Sequence, residues 1–596
     1  MCRILGYFGN QNLSKDVIER ATQNQIFGGP DQQSYIFGDG WGLGNNRLAI
    51  QGLDGGKQPF SLRKTYAVYN GEIYNHKELK KHLATKGYSI SDDCDGSVIL
   101  PMYELYGDTF VEHLDGMFII AIVDESKEQK LLLCSDNCSM KSVYYYLDEK
   151  TDTLFFASEL SALFEFPILK NIRQNAINEY LIGRSIWHNN TFFEKIYCVG
   201  PNTLLKKTKQ GLLEKQTYQS KLVVNFTSMN LVDTGDFLRE LLEKEVHQML
   251  QADVPICLVT SGGLDSSLLT ALASKYNNRL ECFNIAYEGN WPSDERHFAK
   301  EVADYCGIKY NQVLIKESEF PSILDQTIKH LGQPNSAPHS LSTYALFKAV
   351  HEAGFKVAMT GEGADEFFGG YDRFRKATFD VDHNWLKKYF DVMCATTLEI
   401  RNSVYSNSYT NFLKKQSSIL ENASKKINRS AITKNSRLKA LLEFDQSERF
   451  TSYILRRVDH LSMAHAVEVR IPFCQPKISS LYKALPDNYL LDKTNVKKVI
   501  YQAARSLLPE SIINRPKQPF TLPITAMLNE KHILFQIMHD TLTSQSFINR
   551  GFFDHTVIQK LMSRQIKEPN NQVADILWSV MILEMWLKKS DNSFKL

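Results

Sequence analysis

The sequence has no excess of either charge: 69 Lys+Arg stand against 67 Asp+Glu, a formal net charge of +2. That balance removes the basic footprint of a nucleic-acid binder and the acidic tail of a solvating segment. Long hydrophobic runs are also missing. The longest clearly apolar stretch, residues 118–123, falls far short of the ~18–20 residues of a membrane span. MCRILGYFGN has neither the apolar segment nor the cleavage site of a signal peptide, and Phe594-Lys595-Leu596 is a poor peroxisomal address because Phe594 is bulky. A cytoplasmic location is expected. Ten cysteines are scattered through 596 residues without one Cys-x-x-Cys pair, which argues against a structural zinc site. Nine read as reduced, mostly buried thiols, and Cys2 is the exception. There is no internal repeat and no low-complexity tract.

What remains is an ordinary folded composition, 43% apolar and 23% charged, in a chain too long for one core. Residues 1–205 carry short β-branched or aromatic runs at 66–69, 117–123, 131–134, 143–146 and 154–157, with helical patterns at 77–86 and 98–106. Strands clustered with a few helices predict an α+β layered domain. The polar, basic segment KKTKQGLLEKQTYQSK reads as the end of that domain plus a linker. The division expected is a first domain over 1–215, a linker over 216–232 and a second domain over 233–590. A helix starts near Asp233 or Thr234, either a plausible N-cap, with Leu238, Leu241, Leu242, Val246 and Met249 on one stripe. The rhythm then becomes strand, loop, helix. Apolar runs at 254–260, 281–287 and 356–360 alternate with helices; SGGLDSS follows the first and GEGADE the third. This predicts a doubly wound parallel sheet, with ligands beyond the carboxyl ends of its strands. Residues 376–450 look mainly helical.

Removal of Met1 would leave an α-amino group on the same residue as the Cys2 thiol. That amine titrates near ~8, so part of it is neutral and can take the thiol proton. A nucleophile with its own base on one residue is the logic of N-terminal-nucleophile hydrolases. Downstream, Asn70 offers a side-chain amide and Gly71 a backbone N–H, together an oxyanion hole; the plain alternative is an Asn-Gly hairpin turn. Arg47 suits a carboxylate, or a surface ion pair. Asp95 suits a substrate ammonium, or a turn before Gly96.

Cys2, Arg47-Leu48-Ala49-Ile50, NGEIYNH at 70–76, Asp95, Leu114-Asp115-Gly116-Met117-Phe118 and FASEL at 156–160 resemble the class II, N-terminal-nucleophile glutamine amidotransferase domain. The resemblance implies a four-layer αββα fold and glutamine hydrolysis through a thioester on Cys2. Arg47 would hold the glutamine α-carboxylate and Asp95 its amino group. Glu72 would help bind the substrate, and Asn70 and Gly71 would stabilise the oxyanion. Two departures stand out. The family's His-Arg-Gly-Pro-Asp is Phe27-Gly28-Gly29-Pro30-Asp31 here, and its Arg-Asp-x-x-Gly is Ser135-Asp136-Asn137-Cys138-Ser139. They bear on loop packing around the glutamine site and on coupling to the second domain.

Ser261-Gly262-Gly263-Leu264-Asp265-Ser266-Ser267 sits between a strand and a helix. Two glycines let backbone N–H groups converge on an anion, and the helix dipole adds to them. Asp265 belongs beside phosphate only if Mg²⁺ bridges the two. The pattern is neither GxxxxGK[ST] nor GxGxxG, and its plain alternative is a Gly/Ser turn with an N-cap. It looks like the pyrophosphate motif of ATP pyrophosphatases, an adenine nucleotide α-hydrolase-like fold. Thr360-Gly361-Glu362-Gly363-Ala364-Asp365-Glu366, Val458-Asp459-His460-Leu461-Ser462-Met463-Ala464, Glu468-Val469-Arg470-Ile471-Pro472-Phe473 and Arg515-Pro516-Lys517-Gln518-Pro519-Phe520 extend the resemblance to the glutamine-hydrolysing asparagine synthetase family. It implies ATP and Mg²⁺, with Asp265 and Asp365 on the metal and Glu362 as general base. Ser261, Gly262, Gly263, Ser266 and Ser267 would cradle pyrophosphate, and Leu258 and Gly361 would approach the adenosine through their backbones. Lys497 would stabilise phosphate charge. Lys498 competes for that role, because the family's Lys-x-x-Leu-Arg reads Lys497-Lys498-Val499-Ile500-Tyr501 here. For Glu362 and Asp365 the plain alternative is acids at a helix N-terminus.

The expected partners are therefore small molecules: glutamine, ATP and a carboxylate acceptor, with aspartate first. Neither nucleic acid nor membrane is expected, and self-association as a homodimer is left open. The competing acceptors are sugars of surface polysaccharides, peptides or secondary metabolites. The segment Gln333-Pro334-Asn335-Ser336-Ala337-Pro338-His339-Ser340 is where acceptor choice would lie. A catalytically silent relative on this fold is the third reading; intact Cys2, Asp265, Glu362 and Asp365 argue against it. A papain-like arrangement is absent.

Overall fold

The computed structural model describes residues 2–211, 213–222, 224, 226–227, 229–291, 294–515 and 522–590. Residues 516–520 of the Arg515-to-Phe520 motif lie outside them.

Two antiparallel sheets make up the first half. One has β1 (Cys2–Phe8), β2 (Gln32–Gly38), β3 (Trp41–Arg47), β8 (Tyr144–Asp148), β9 (Thr153–Ala157) and β10 (Ile196–Cys198), in the order β10-β8-β9-β1-β3-β2. The other has β4 (Phe60–Leu62), β5 (Thr65–Ile73), β6 (Gly116–Asp124), β7 (Lys130–Ser135), β11 (Thr203–Thr208) and β12 (Leu213–Thr217), in the order β12-β11-β7-β6-β5-β4. Strand β6 explains why the sheets stack. Its side chains alternate between faces, and both sets are apolar. Ile119, Ala121 and Val123 meet Ile4, Phe8 and Leu43 between the sheets. Phe118, Ile120 and Ile122 face outward, toward helices α2 (His76–Thr85) and α3 (Ile99–Tyr106) through Leu83 and Met102. Each such side chain contributes about 1.5–3 kcal/mol on burial. Helix α1 (Lys15–Gln23) places Ile18 and Ala21 against Leu5 and Tyr7, on the outer face of the first sheet. The architecture is the αββα, N-terminal-nucleophile type.

Two local expectations change. Asn70-Gly71 lies inside β5 and pairs with Ile119 and Phe118 of β6, so it is not a hairpin turn. The basic segment after residue 205 ends the first half as a hairpin of β11 and β12, which runs to Thr217, two residues into the expected linker. Lys207, which reads as a solvated charge, is buried and paired with Asp152 at 2.9 Å.

The next helix, Leu231–Met249, is capped by neither Asp233 nor Thr234. Asn230 Oδ1 accepts from the N–H groups of Val232 and Asp233 at 2.9 and 3.0 Å, as an N-cap does. The second half then builds a five-stranded, all-parallel sheet: β13 (Ile256–Val259), β14 (Glu281–Tyr287), β15 (Lys309–Ile315), β16 (Val357–Met359) and β17 (Glu468–Arg470), in the order β15-β14-β13-β16-β17. The chain leaves β13 toward β14 on one side and returns as β16 on the other. That reversal opens a crevice beyond the carboxyl ends of β13 and β16, where SGGLDSS and GEGADE emerge. Neither β15 nor β17 is evident in the sequence, for β15 alternates as an edge strand and β17 has charges at both ends.

The halves meet through polar contacts as well as apolar packing. Asn137 Nδ2 donates to the Cys474 carbonyl at 2.7 Å, Thr451 Oγ1 to the Cys138 carbonyl at 3.1 Å, and the Asp253 N–H to the Ile50 carbonyl at 3.0 Å. Among the described residues no helix is long and apolar enough to cross a membrane.

Candidate active sites

Cys2 begins β1 opposite Arg47 on β3, and is buried. Antiparallel pairing thus sets the thiol beside the guanidinium. Asn70 approaches from the second sheet. Its Oδ1 accepts the Cys2 N–H at 3.0 Å, and its Nδ2 is buried with no hydrogen-bond partner among the described residues. One amide therefore holds the Cys2 nitrogen with one end and keeps a donor unspent at the other. A side chain at Gly71 is impossible: its Cβ would lie 2.1 Å from the Met117 carbonyl oxygen. The sequence does not single out Gln58, yet its Nε2 is 3.4 Å from Cys2 Sγ, while its Oε1 accepts the Tyr69 N–H at 2.7 Å. No local motif marks it.

Arg47 Nη2 donates to the Gly52 carbonyl at 2.8 Å, so the 51–56 loop folds onto the guanidinium. Asp95 is buried; it accepts the Tyr69 hydroxyl and, at 2.8 Å, the Ile73 N–H. Neither is the surface pair or free turn residue of the plain readings. Glu72 is also buried, with Oε1 unpartnered among the described residues and Oε2 3.6 Å from Arg470 of β17. Burial, with Asp95 and Glu468 nearby, pushes the Glu72 carboxyl well above the usual carboxylate range; Arg470 opposes that shift.

The two family departures have local consequences. Arg3, fully buried, runs through the space a side chain at position 28 would need. Its Nη1 lies 3.1 Å from Asp459 Oδ2 and its Nε 2.8 Å from Glu159 Oε1. Glu159 also reaches His460 Nδ1 at 2.9 Å, and Lys141 reaches Asp459 at 3.6 Å. Ser139, where the family has Gly, sits at φ +53° and donates its hydroxyl to the Val199 carbonyl at 2.8 Å. Asp136 gathers the N–H groups of Phe118, Cys138 and Met140. Even so, burial pushes its carboxyl up to about 6.

The second site lies in the crevice of the parallel sheet, a cavity of about 400 Å³. Helix Leu264–Ser274 begins directly after the loop, with Gly263 as its N-cap. Ser261 and Ser266 bond to each other, Oγ to Oγ, at 3.1 Å, and the Gly263 N–H donates to Ser261 Oγ at 3.2 Å. Lys497 Nζ lies 2.6 Å from Asp265 and 2.9 Å from Asp365, buried between them. Its positive φ of 49° turns it in just before helix Lys498–Ala504. Lys498 instead pairs with Asp492 at 2.9 Å; between the two lysines, the structure brings Lys497 to the carboxylates. Two carboxylates converging on one ammonium are the donor set a divalent cation needs beside phosphate, so Asp265 and Asp365 fit Mg²⁺. Glu362 lines the same cavity, and its buried Oε2 has no hydrogen-bond partner among the described residues. Leu258, Gly262 and Ser267 do not line the cavity. Leu258 is buried in the sheet, the Gly262 carbonyl accepts from Arg515 Nη1 at 2.7 Å, and Ser267 is fully buried. Val259, Thr260, Phe283 and Ile285 form that wall instead. Gly361 lines an adjoining recess of about 290 Å³, with Ser266, Glu362, His339 and Arg457.

Comparison with known proteins assigns both halves. The glutamine amidotransferase domain family matches residues 1–219 and the asparagine synthase family residues 237–588. Two Bacillus subtilis proteins, asparagine synthetases [glutamine-hydrolyzing] 1 and 3, are each 26% identical, over 98% and 87% of this chain and 96% and 87% of their own length. A Gibberella zeae amidase, chry2, is 30% identical over 60% of this chain and 56% of its own. The protein is an enzyme that amidates with nitrogen taken from glutamine, a carbon–nitrogen ligase, and it belongs to the glutamine-hydrolysing asparagine synthetase family.

Proposed function

We propose that this enzyme converts aspartate to asparagine through a β-aspartyl adenylate, releasing AMP, pyrophosphate and glutamate. Residues 1–215 liberate ammonia and residues 233–590 activate and amidate the acceptor. After loss of Met1, the Cys2 amine takes the thiol proton and the thiolate attacks the glutamine amide carbon. Arg47 and Asp95 hold the two ends of the amino acid, and Glu72 lines the pocket. Asn70 Nδ2 and the Gly71 N–H stabilise the oxyanion. The thioester then yields to water.

A free carboxylate will not accept an amine at neutral pH, because its leaving group is too poor. In the second site the acceptor carboxylate attacks the α-phosphate of ATP and displaces pyrophosphate. Ser261, Gly263 and Ser266 hold the phosphates through loop donors and the helix N-terminus, and Gly361 flanks the nucleoside. Lys497 offsets charge on the leaving group. Asp265 and Asp365 would hold Mg²⁺, which would neutralise negative charge on the phosphates. Ammonia attacks the adenylate, and Glu362 takes the proton the tetrahedral adduct sheds. Passing ammonia inside the molecule spares it from protonation in water.

The observation that carries this reading is the pair of carboxylates closed on Lys497 at the mouth of SGGLDSS, with Glu362 Oε2 in the same cavity unpartnered among the described residues. The test supplies ATP, Mg²⁺, amide-¹⁵N glutamine and aspartate. Labelled asparagine with AMP and pyrophosphate is expected. Release of ADP and phosphate would overturn the adenylate, and no label in any acid would overturn amidation at this site.

A further inference from the structure

Among the described residues the Cys2 sulfur takes part in one hydrogen bond, and the donor is Gln58 Nε2 at 3.4 Å. Gln58 is 4% exposed, and its amide cannot be turned round. Its Oε1 accepts the Tyr69 backbone N–H at 2.7 Å and Asn45 Nδ2 at 3.3 Å. A backbone N–H only donates, so the oxygen must face Tyr69 and the –NH₂ must face the sulfur. The main chain is pinned as well, for Ser34 Oγ donates to the Gln58 carbonyl. Ser34 and Asn45 lie on β2 and β3 of one sheet and Tyr69 on β5 of the other. Both sheets therefore hold this one side chain against the thiol.

The other donors nearby are committed elsewhere. Arg47 Nη2 donates to the carbonyls of Gly52 and Gln51 at 2.8 and 3.4 Å. Asn70 turns its Oδ1 to the Cys2 nitrogen, which leaves its Nδ2 for the substrate oxygen. Cys2 itself is 4% exposed, so solvent reaches the sulfur poorly. A charge on a buried sulfur is costly unless a donor meets it, and the thiol must carry that charge before it attacks. Two amides of opposite sense thus grip one residue, an oxygen on its nitrogen and an N–H on its sulfur.

We propose that Gln58 is a further catalytic residue of glutamine hydrolysis, donating its Nε2 hydrogen bond to the Cys2 thiolate. The inference rests on the thioester reading and adds a residue to it. The sulfur gives its proton to the α-amine, and its electron pair forms the C–S bond while the carbonyl pair moves onto oxygen. The ammonium returns the proton to the amide nitrogen as the C–N bond breaks and ammonia leaves. Gln58 keeps its own protons throughout. It acts again when water adds to the thioester, because the C–S bond then breaks with its electron pair on sulfur. A hydrogen bond to an ionised acceptor is roughly twice as strong as one to a neutral acceptor, so this one strengthens as charge forms on the sulfur.

The experiment compares Gln58→Glu and Gln58→Met with the wild type at pH 8. It reads the rate at which iodoacetamide alkylates Cys2, followed on the N-terminal peptide by mass, and the rate of glutamine hydrolysis. As a carboxylate, glutamate has the same shape and keeps an acceptor for the Tyr69 N–H, but it puts an oxygen where the donor was. Methionine removes donor and acceptor together. Both variants are expected to lose about 10- to 100-fold in alkylation rate and in kcat. KM for glutamine should change by less than about threefold, and synthesis from added ammonium should persist. The alkylation deficit of Gln58→Met should shrink toward pH 10, where a thiol ionises unaided. Near-wild-type alkylation and hydrolysis in Gln58→Glu, with loss only in Gln58→Met, would make the amide a strut for β5 and overturn the proposal. A methionine deficit that stays constant to pH 10, or an equal fall in ammonium-dependent synthesis, would overturn it too. Glutamine hydrolysis that survived Cys2→Ala would remove the thioester itself, and this inference with it.

Discussion

Arg470 touches both sites: its guanidinium is 3.6 Å from Glu72, next to Asn70-Gly71, and its backbone carbonyl accepts the Thr360 N–H at 3.0 Å, two residues before Glu362. One residue of a three-residue strand thus spans from the glutamine pocket to the nucleotide crevice. A buried ion pair of this kind contributes little net stability, but removing one partner is costly.

Replacing Arg470 with Met should therefore destabilise the protein by about 3–5 kcal/mol, since Glu468 and Glu72 lose the cation that faces both. Urea unfolding measures it. A loss below about 1 kcal/mol would mean that the carboxylates are already protonated or solvated.

Asn70→Ala removes both ends of one amide. Loss of an oxyanion donor typically costs ~10²–10³ in kcat, so glutamine hydrolysis should fall by about that factor while synthesis from added ammonium persists. If ammonium-dependent synthesis fell equally, the Asn70 amide would be a structural contact only. Cys2→Ala should show the same split in stronger form.

Arg3 and Gly28 should behave as a coupled pair. Gly28→Arg alone must displace the Arg3 side chain, because a Cβ there would be 2.8 Å from Arg3 Cγ. Arg3→Ser alone leaves Asp459 and Glu159 without that guanidinium. Together the two changes return a guanidinium to the family's usual position. The double variant should melt higher than either single one, with a coupling of about 1–3 kcal/mol; additive losses would show that the two positions are independent.

Ser139 tests the other departure. A non-glycine residue in the left-handed region costs roughly 1–2 kcal/mol, and its hydrogen bond to Val199 returns about 1 kcal/mol. Ser139→Gly removes both and should be near neutral. Ser139→Ala keeps the strain, loses the bond, and should destabilise by about 1 kcal/mol. Thermal melts of both variants give the comparison.

Asp136 sets a pH dependence. Its folded-state carboxyl, pushed up to about 6 by burial, compares with ~3.9 unfolded. A raised acid contributes its stability below pH ~4 and loses it as pH rises through 6. Asp136→Asn cannot titrate. The melting temperature of the wild type minus that of the variant should therefore shrink from pH 4 to pH 6.5, and a constant difference would disprove the shift.

The reactive residues were legible because they sit in local patterns. Cys2 is marked by its place at the second position, Asn70-Gly71 and Asp95 by short motifs, and Asp265, Glu362 and Asp365 by glycine-rich loops after apolar strands. Their neighbours were not. Gln58 reaches the thiol from eleven residues upstream of Tyr69 with no motif around it. The Glu468–Arg470 strand looks like a charged loop, because the partners that allow its burial lie far away in sequence. The strands in the basic stretch after residue 205 were hidden for the same reason, Lys207 being neutralised by Asp152.

The chain's amino-acid order by itself determined two halves, the β-rich first and the strand–helix second, and the groups that do chemistry in each. Periodicity and short glycine turns are properties of neighbours along the chain, so they can be read without folding it. Only the tertiary structure decided which charges are buried together: Arg3 with Asp459, Arg470 with Glu72, and Lys497 rather than Lys498 with the two aspartates. Charge pairing depends on distance in space and on the exclusion of water, and neither is written in sequence separation.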